Sequence, residues 1–280
     1  MAYTVGGLIE ATHYNGFAAS VNAVWGAGTG DRGYGQSTTL SSVATTDTVT
    51  ATQWATLIAR IDSMRQHQSG TTSGITQPIT GDLIAHLATL STQITTIDTN
   101  RLLRNVAVSS IATATATGAW NGTSNAVREC AFTFSSADTM RYFFNAGGTV
   151  TFNTVSSSFA GNTKSANWDS VANSGSATVT NSIFWNNLST SNYTLATFAG
   201  SGADYASNIL YLQARLNASP GASTQIILRA YFVDGSSDSF NDVVLGTAQV
   251  DASANGAATT YLANTWGTPS ATNNLTVTQA

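Results

Sequence analysis

The side chains best suited to hold a metal ion are few in this chain and lie far apart. There are three histidines, His13, His67 and His86, and one cysteine, Cys130. A zinc site is usually built from four such ligands at short, recurrent spacings, and no two of these residues have that spacing. We therefore expect no metal site. His67 stands near a predicted helix end, where an imidazole can bind free carbonyls, and Cys130 is expected to be an inert core thiol.

Carboxylates in a position to act together are also sparse. Asp234, Asp238 and Asp242 surround a Gly/Ser turn, and two interpretations stay open: a calcium site or an acidic hairpin loop. The spacing differs from that of an EF-hand, which favours the loop. Asp138 and Asp169 lie in separate motifs and are expected to be charges near helix N-termini. No Gly-x-Ser-x-Gly elbow occurs. The sequence therefore predicts no catalytic residues, and the protein is expected not to be an enzyme.

One stretch matches the pattern of a dinucleotide-binding loop. Residues 28–33 read Gly-Thr-Gly-Asp-Arg-Gly, which fits G-x-G-x-x-G. The fingerprint has meaning only where it follows a strand and opens a helix, whereas here it follows a helical stripe. We therefore interpret it as a glycine-rich turn between helices, with Arg32 and Tyr34 as contact residues, and expect no cofactor.

The composition is unusually poor in charge. Charged residues make up 9% of the 280 residues, with a net charge of −4 and one lysine, Lys164, against about 25% in an average soluble domain. Such a surface lacks the charge that keeps copies apart. It is either covered by copies or partners, or is a hydroxyl-rich surface of extracellular type.

The same composition argues against several partners. The ten basic residues form no cluster that could follow a phosphate backbone, so no nucleic acid is expected. No apolar run is long enough to span a membrane, so no membrane insertion is expected. The first residues show no basic region followed by an apolar one, so no secretory signal is expected.

The first part of the chain, residues 1–105, reads as helical. Apolar residues at Tyr14, Phe17, Val21 and Val24 follow a helical spacing. A second helix begins with a capping box at Thr50 and Gln53 and is expected to stop at Gly70. Its apolar face is lined by Trp54, Leu57, Ile58, Ile61 and Met64.

In a third helical pattern, at residues 83–97, successive apolar residues are separated alternately by four and three positions. This is the a/d spacing of a coiled-coil seam, although two heptads are short for one. Packing within its own domain is the somewhat better interpretation, and self-association is the alternative. The candidate interface residues are Trp25, Arg32, Tyr34, Leu83, Leu87, Leu90, Ile94 and Ile97.

From residue 106 the hydrophobic period changes to that of strands. Short alternating runs at 126–134, 149–155, 177–184, 193–198, 208–216, 224–233, 242–250 and 275–278 are separated by turn residues. Asp234 and Gly235 follow one run as a hairpin signal. Many short strands predict an antiparallel sandwich. The fold class is therefore predicted as α+β, with a helical attachment or oligomerisation region at 1–105 and a mainly antiparallel β-sandwich with short inserted helices at 106–280.

Residues 135–148 form the most distinctive motif of this second part. Ser135 or Ser136 can cap a short helix that carries three successive aromatic rings, and Gly147 or Gly148 can end it in the left-handed conformation. We expect the rings to fill the sandwich core, and the partner of the motif's arginine stays open between a carboxylate and backbone carbonyls. The motif residues are Arg141, Tyr142, Phe143, Phe144, Gly147 and Gly148, with Trp168 downstream.

Two motifs together resemble virion structural proteins of tailed bacteriophages, especially those of marine and cyanobacterial phages. The first is Trp-Gly-Ala-Gly-Thr-Gly-Asp-Arg-Gly-Tyr-Gly-Gln at residues 25–36, and the second is Arg-Tyr-Phe-Phe-Asn-Ala-Gly-Gly at 141–148. The similarity covers residues 8–175. It implies a particle component of the tail, neck or fibre, assembled in the host cytoplasm with copies of itself and other virion proteins. It supplies no catalytic residues.

A second function stays open beside assembly. A receptor-binding adhesin would hold host surface glycan on an aromatic groove of the C-terminal sandwich, with Trp185 and Trp266 as candidate contacts. Aromatic residues also dominate cores and interfaces, so the assembly interpretation is preferred. In both cases the expected location is the virion.

Overall fold

The chain has an α+β fold, as predicted, with N-terminal helices and two antiparallel sheets that form a sandwich-like arrangement. A computed structural model describes residues 11–80, 87–120, 122, 124–156, 158–236 and 243–275. The chain divides into two compact units. The helical unit comprises Met1–Val108, Arg141–Gly147 and Ala257–Trp266, and the sheet unit comprises Ser109–Met140, Gly148–Gly256 and Gly267–Ala280.

Three helices build the helical unit: α1 (Ala11–Trp25), α2 (Ala51–Ser69) and α3 (Leu87–Thr99). The predicted start of α2 is confirmed, because the Thr50 hydroxyl accepts from the Gln53 amide and the Gln53 side chain accepts from the Thr50 amide. The predicted stop is also confirmed, with Gly70 left-handed at φ 73°. These caps satisfy backbone groups that a helix end leaves free.

The apolar stripes of the three helices face one another and form one core. Tyr14 of α1 meets Trp54 of α2 edge to face, with ring centroids 5.3 Å apart. Burying such rings is among the largest apolar contributions that single side chains make to stability. The helices are therefore held by packing, which offsets the weak helix propensity of their many threonines.

The apolar seam on α3 is part of this core. Leu90, Ile94 and Ile97 are buried, as are the interface candidates Trp25 and Tyr34. These five are core residues of this chain and not a surface for copies, because α3 uses its stripe to pack on α1 and α2.

Three of the interface candidates have other outcomes. Arg32 remains exposed, with its side chain 47% accessible. Leu83 lies outside the described residues, and the side chain of Leu87 is likewise not described.

Two antiparallel sheets build the sheet unit. The four-stranded sheet has the order β1-β8-β3-β4 and the five-stranded sheet the order β5-β6-β7-β2-β9. The strands are β1 (Val108–Ala119), β2 (Ala126–Thr133), β3 (Thr149–Ser156), β4 (Ser176–Val179), β5 (Tyr193–Ala199), β6 (Ile209–Leu216), β7 (Gln225–Val233), β8 (Thr247–Ala257) and β9 (Ser270–Thr272). Strands β6 and β7 alternate strictly between buried and partly exposed residues, and β8 does so up to its last residue, which is the pattern of strands with one face in a core.

Three short helices interrupt the strands: α4 (Ala137–Asn145), α5 (Thr163–Ala172) and α6 (Asn181–Asn186). The predicted strand at 177–184 is wrong in its second half. There the Thr180 side chain caps α6 by accepting from the Ile183 amide, so the chain turns from strand β4 into a helix.

The hairpin predicted at Asp234 and Gly235 is also wrong. Strands β7 and β8, which flank it, belong to different sheets. The Asp234 side chain is instead buried against Lys164. Asp238 and Asp242, the other two residues of the calcium hypothesis, lie outside the described residues.

An aromatic cluster lies in the core of the sheet unit. The ring of Trp120 is 4.9 Å from that of Trp168 and 5.4 Å from that of Phe232, and Phe159 closes the group. Cys130 is buried, as predicted, and burial together with the charges of Asp251 and Glu129 raises its pKa to about 12. A thiol with this pKa is not a nucleophile at neutral pH.

The edge of strand β1 is covered by two asparagine side chains. Asn273 and Asn274 follow β9, and their carbonyl oxygens accept from the amides of Thr115 and Thr117. Asn274 has a positive φ of 49°, a conformation that asparagine tolerates better than most residues. Side chains that bind the free amides of an edge strand keep it from pairing with another chain.

No helix in the described part of the chain is long and apolar enough to cross a bilayer.

Candidate functional site: the contact between the glycine-rich loop and the aromatic segment

The two motifs that carry the phage resemblance lie in the same unit and touch each other. We call residues 26–36 the glycine-rich loop and residues 141–147 the aromatic segment. Both belong to the helical unit, so the expectation that the rings fill the sandwich core is wrong. Ser136 precedes helix α4 and caps it, because its hydroxyl accepts from the Thr139 amide; Gly147, at φ 84°, lies just beyond the end of the helix. Both ends therefore follow the predicted caps.

The glycine-rich loop folds back over the end of helix α1. The amides of Tyr34, Gly35 and Gln36 donate to the carbonyls of Val24, Gly26 and Trp25, at 2.8 to 3.0 Å. The last carbonyls of a helix have no partner within the helix. The loop therefore acts as the C-terminal cap of α1, which is why the glycines follow a helix and not a strand.

Glycine is required by space as well as by conformation at several loop positions, of which Gly33 and Gly35 bear most on the site. Gly33 has φ 97°, and a Cβ there would lie 2.1 Å from the Ala27 oxygen. Gly35 has φ 70°, and a Cβ there would lie 2.3 Å from the ring of Tyr142. The first ring of the aromatic segment thus packs directly on the loop backbone, and a side chain at Gly35 would push it away.

Arg141 and Asn145 bind the loop through its carbonyl oxygens. Arg141 donates to Gly30 at 2.9 Å and to Ala27 at 3.3 Å, and Asn145 donates to Gly33 at 3.0 Å. Both side chains are buried. The partner of Arg141 that the sequence left open therefore includes backbone carbonyls. A guanidinium with several donors in one plane suits a loop whose carbonyls converge.

His67 joins helix α2 to the aromatic segment. Its Nε2 lies 3.0 Å from the Ala146 oxygen and therefore carries the proton in this contact. Burial is the main cause that lowers its pKa to about 4; the hydrogen bond to the Ala146 carbonyl acts in the opposite direction, and the charge of nearby Arg104 acts in the same direction as burial. Arg104 itself donates to the Gly147 oxygen at 2.7 Å. The imidazole is thus neutral at pH 7 and works as a hydrogen-bond donor.

Tyr34 and Gln68 connect the loop to α2 and α3. The Tyr34 hydroxyl donates to the Arg101 oxygen at 2.7 Å and accepts from Gln68, which also donates to the Ile97 oxygen. Burial raises the pKa of Tyr34 far above its usual value, so the phenol stays protonated and donates. Its ring also meets that of His67, 5.5 Å between centroids.

A third chain segment, Ala257–Trp266, completes the network. The Gln36 side chain donates to the Ala263 oxygen and accepts from the Ala263 amide, as a strand neighbour would. The Thr265 hydroxyl donates to the Tyr34 oxygen at 2.7 Å. The loop is thus the place where three sequence-distant segments meet.

Two ion pairs hold the outer side of the loop to the end of α3. Arg32 pairs with Asp98 at 2.8 Å, and Asp31 pairs with Arg101 at 2.5 Å. The hydrogen bond from Arg101 to Asp31 raises the pKa of Arg101. These pairs are partly or largely exposed, and exposed pairs contribute about 1 kcal/mol or less. They orient the loop more than they stabilise it.

The chemistry of this arrangement is that of a scaffold. Its polar side chains bind backbone carbonyls, and its histidine is neutral and engaged. In the described ranges, no three His, Cys, Asp or Glu side chains come close enough together to hold a metal ion. The geometry of the site fixes the loop, and we find in it no nucleophile aligned with a base among the residues described.

The other predicted site residues are scattered. Trp168 is buried in the aromatic cluster of the sheet unit. Trp185 is half-buried on α6 beside Phe184. Trp266 is 2% exposed in the helical unit, so it is not available to a glycan. Gly148 is buried just beyond the aromatic segment and is counted with the sheet unit.

Sequence reasoning missed three of the residues that tie the loop down. Gln36 and Asn145 stood within the quoted motifs without a role, and Arg104 stood outside them. The only signal in the sequence is their polarity, because a polar side chain that becomes buried needs a hydrogen-bond partner. The identity of that partner depends on which segments the fold brings together.

Comparison with known proteins adds no relative: no protein-family model, curated protein or solved structure matches this chain.

Proposed function

We propose that this protein is a structural component of a tailed-phage virion, associated with the tail, neck or fibre and assembled through protein–protein contacts. The observation that carries the proposal is the contact between its two resembling motifs. Arg141 and Asn145 of the second motif bind carbonyls of the first. Motifs that resemble virion proteins and also pack on each other behave as one architectural element, which favours a structural role.

The distribution of charge supports association with copies or partners. Lys164, Glu129 and Arg141 are among the few charged residues of the chain, and all three are buried. The remaining surface is therefore poorer in charge than the composition suggests. Such a surface offers little repulsion between neighbouring proteins, as a particle component requires.

Exposed apolar side chains of the helical unit offer a place to test assembly. Leu103 is 55% exposed and follows α3. Leu90 is unsuitable for such a test, because it is 1% exposed and its replacement by aspartate would disrupt the core.

Sedimentation of the purified chain tests self-association. At micromolar concentration the protein should sediment as more than a 29.0 kDa monomer, and Leu103→Asp should shift it toward the monomer. Thr99→Asp, at the exposed end of α3, is the matched control and should have no effect. A wild-type monomer would reject the self-association part of the proposal.

Immunogold electron microscopy tests the particle itself. Antibody raised against the purified chain should label intact tailed particles from the lysate in which the protein is made, at one position of the tail or neck. Label confined to unassembled protein would reject the virion assignment.

A glycan-binding adhesin is the second candidate, and one feature of the sheet unit favours it. On the outward face of the five-stranded sheet, Tyr211 and Tyr231 stack with centroids 6.2 Å apart, and the guanidinium of Arg229 lies 4.7 Å from the Tyr231 ring centre. A face with aromatic surface and hydrogen-bonding groups side by side suits a sugar. This face replaces the buried Trp266 as the candidate surface.

A glycan array distinguishes the two candidates. Reproducible binding that is lost in Tyr211→Ala and Tyr231→Ala, and kept in Gln225→Ala on the same face, would favour the adhesin. Absence of binding by the wild-type protein would leave the assembly proposal as the better one.

A further inference from the structure

The chain's one lysine is buried in the sheet unit, in contact with an aspartate. Lys164, in the first turn of helix α5, has its Nζ 2.8 Å from Oδ2 of Asp234, which follows strand β7. The two side chains are 2% and 1% exposed. Removing two charges from water costs several kcal/mol for each ion, so a fully buried pair needs an explanation in a chain that uses lysine once.

The surroundings of the pair are apolar and aromatic. Lys164 and Trp168 are one helical turn apart on α5, and Asp234, just beyond β7, lies two positions after Phe232 of that strand. The ring centroids of Trp168 and Phe232 are 5.8 Å apart. The same two segments are therefore joined by two neighbouring contacts, one between aromatic rings and one between Lys164 and Asp234. Trp120 packs against both rings.

We propose that Lys164 and Asp234 become joined by an isopeptide bond that this chain forms on itself. Nζ of Lys164 bonds to Cγ of Asp234, the bond from Cγ to Oδ2 breaks, and Oδ2 leaves as water. An ammonium and a carboxylate thus become one amide and one water molecule. The three ammonium protons are accounted for, two in the water and one on the amide. The step needs no oxidant, reductant or further reactant.

Three features of the site favour this reaction. First, Nζ is in contact with Oδ2, so a proton can pass directly from the ammonium to the oxygen that leaves, which gives the neutral amine that attacks. Second, the reacting groups are already in contact, and such positioning is equivalent to an effective concentration of about 10⁵ M or more. Third, the same burial that excludes water protects the product amide from hydrolysis.

The other carboxylate oxygen of Asp234, Oδ1, is the one that stays in the product amide, and it is already hydrogen-bonded. The Ser236 hydroxyl donates to Oδ1 at 3.1 Å, and the Asp234 amide donates to Oδ1 of Asn125 at 2.9 Å. The Ser236 bond polarises the carboxyl group and stabilises the negative charge that develops on Oδ1 during attack. Ser236 and Asn125 therefore fix which oxygen stays and which leaves.

Another buried carboxylate of the sheet unit, that of Glu129, has no lysine beside it among the described residues and cannot react in this way. Glu129 is bound by Arg215 at 2.7 and 2.9 Å, and a guanidinium stays protonated in proteins. The lysine at position 164 thus suits a covalent bond to its carboxylate, whereas the arginine at position 215 suits a non-covalent ion pair.

Intact-mass spectrometry of the purified full chain under denaturing conditions tests the proposal. The wild-type mass should be lower than the sequence mass by one water. Lys164→Arg, which keeps the charge but cannot form the amide, and Asp234→Ala should both have their full sequence masses. A wild-type chain at its full sequence mass would overturn the proposal.

Peptide mapping shows where the water was lost, which matters because Asp234 precedes Gly235, a pair that can also lose water as a cyclic imide. Trypsin should leave Lys164 uncut and release peptide 142–215 covalently joined to peptide 230–280. Cleavage at Lys164 together with a free peptide 230–280 that lacks one water would assign the loss to the imide and refute the crosslink.

Discussion

The helical unit and the sheet unit solve the problem of holding distant segments together in different ways. The helical unit joins three sequence-distant segments through a few side chains that bind loop backbone, chiefly Arg141, Asn145 and Gln36. The sheet unit uses strand ladders, such as eight consecutive pairs between β2 and β7. A ladder distributes stability over many bonds, whereas the loop contact concentrates it in a few.

Charge is used differently as well. The ion pairs of the helical unit, such as Arg32 with Asp98, are accessible to water, while Lys164 and Asp234 in the sheet unit are not. Loss of an exposed ion pair changes the free energy of unfolding little. Loss of one partner of a buried pair is strongly destabilising, because it leaves an isolated charge in the core. The comparison therefore predicts that single substitutions in the loop contact, and not in its surface ion pairs, destabilise the helical unit most.

The largest effect is expected at Gly35. Gly35→Ala forces a side chain into a left-handed position and against the Tyr142 ring, and should lower the free energy of unfolding by about 4 kcal/mol. Gly30→Ala is the matched control, because Gly30 has φ 58° but open space around it, and should cost about 1 kcal/mol. Denaturant unfolding measures both. Equal costs would show that the ring contact contributes nothing.

The next effect concerns Arg141. Arg141→Ala removes the donors to Gly30 and Ala27 and the packing of the arginine stem, and should cost about 3 kcal/mol. Arg32→Ala, in the same unit but exposed, should cost less than about 1 kcal/mol. Hydrogen exchange should show faster exchange in α1 to α3 while β6 and β7 stay protected. Uniform loss of protection would mean that the two units unfold as one.

His67 should make the stability depend on pH. Its pKa is about 4 in the folded protein and about 6.5 when unfolded, so the unfolded chain takes up the proton first as the pH falls. The stabilisation by neutral His67 is complete above pH 6.5 and decreases by roughly 2 to 3 kcal/mol between pH 6.5 and 4.

The contribution of His67 is measured as the difference in the free energy of unfolding between the wild type and a variant, because carboxylates also titrate in this pH range and affect both proteins. Unfolding curves of the wild type and of His67→Gln, whose amide can still donate to Ala146, should diverge between pH 4 and 6.5. Parallel curves would contradict the assigned role of burial.

The smallest effect is expected at the sheet edge. Asn274→Gly keeps the positive φ but removes the acceptor for the Thr117 amide, and should cost about 1 kcal/mol. Hydrogen exchange of the β1 amides should become faster. The control Ser270→Ala, on the exposed strand β9, should change neither the free energy of unfolding nor the exchange of the β1 amides. An unchanged β1 would show that the edge is protected by other means.

Local signals in the sequence predicted much of the secondary structure. The apolar stripe of α1, the capping box at Thr50 and the helix stop at Gly70 were all legible, because each depends on residues within one or two turns. Strand β1 was missed, since its Ser, Thr and Ala residues carry no clear alternation. The helix at 181–186 was missed because its cap, Thr180, interrupts an apolar run that reads as a strand.

The candidate site could be recognised from the sequence as two motifs but not as one contact. The sequence by itself determined the fold class and the caps of α2 and α4, since helix capping and periodicity are local properties. Tertiary structure alone decided that the aromatic segment packs with the helices and that Lys164 meets Asp234. Those pairings join residues 70 to more than 100 positions apart, and only the folded chain brings them within bonding distance.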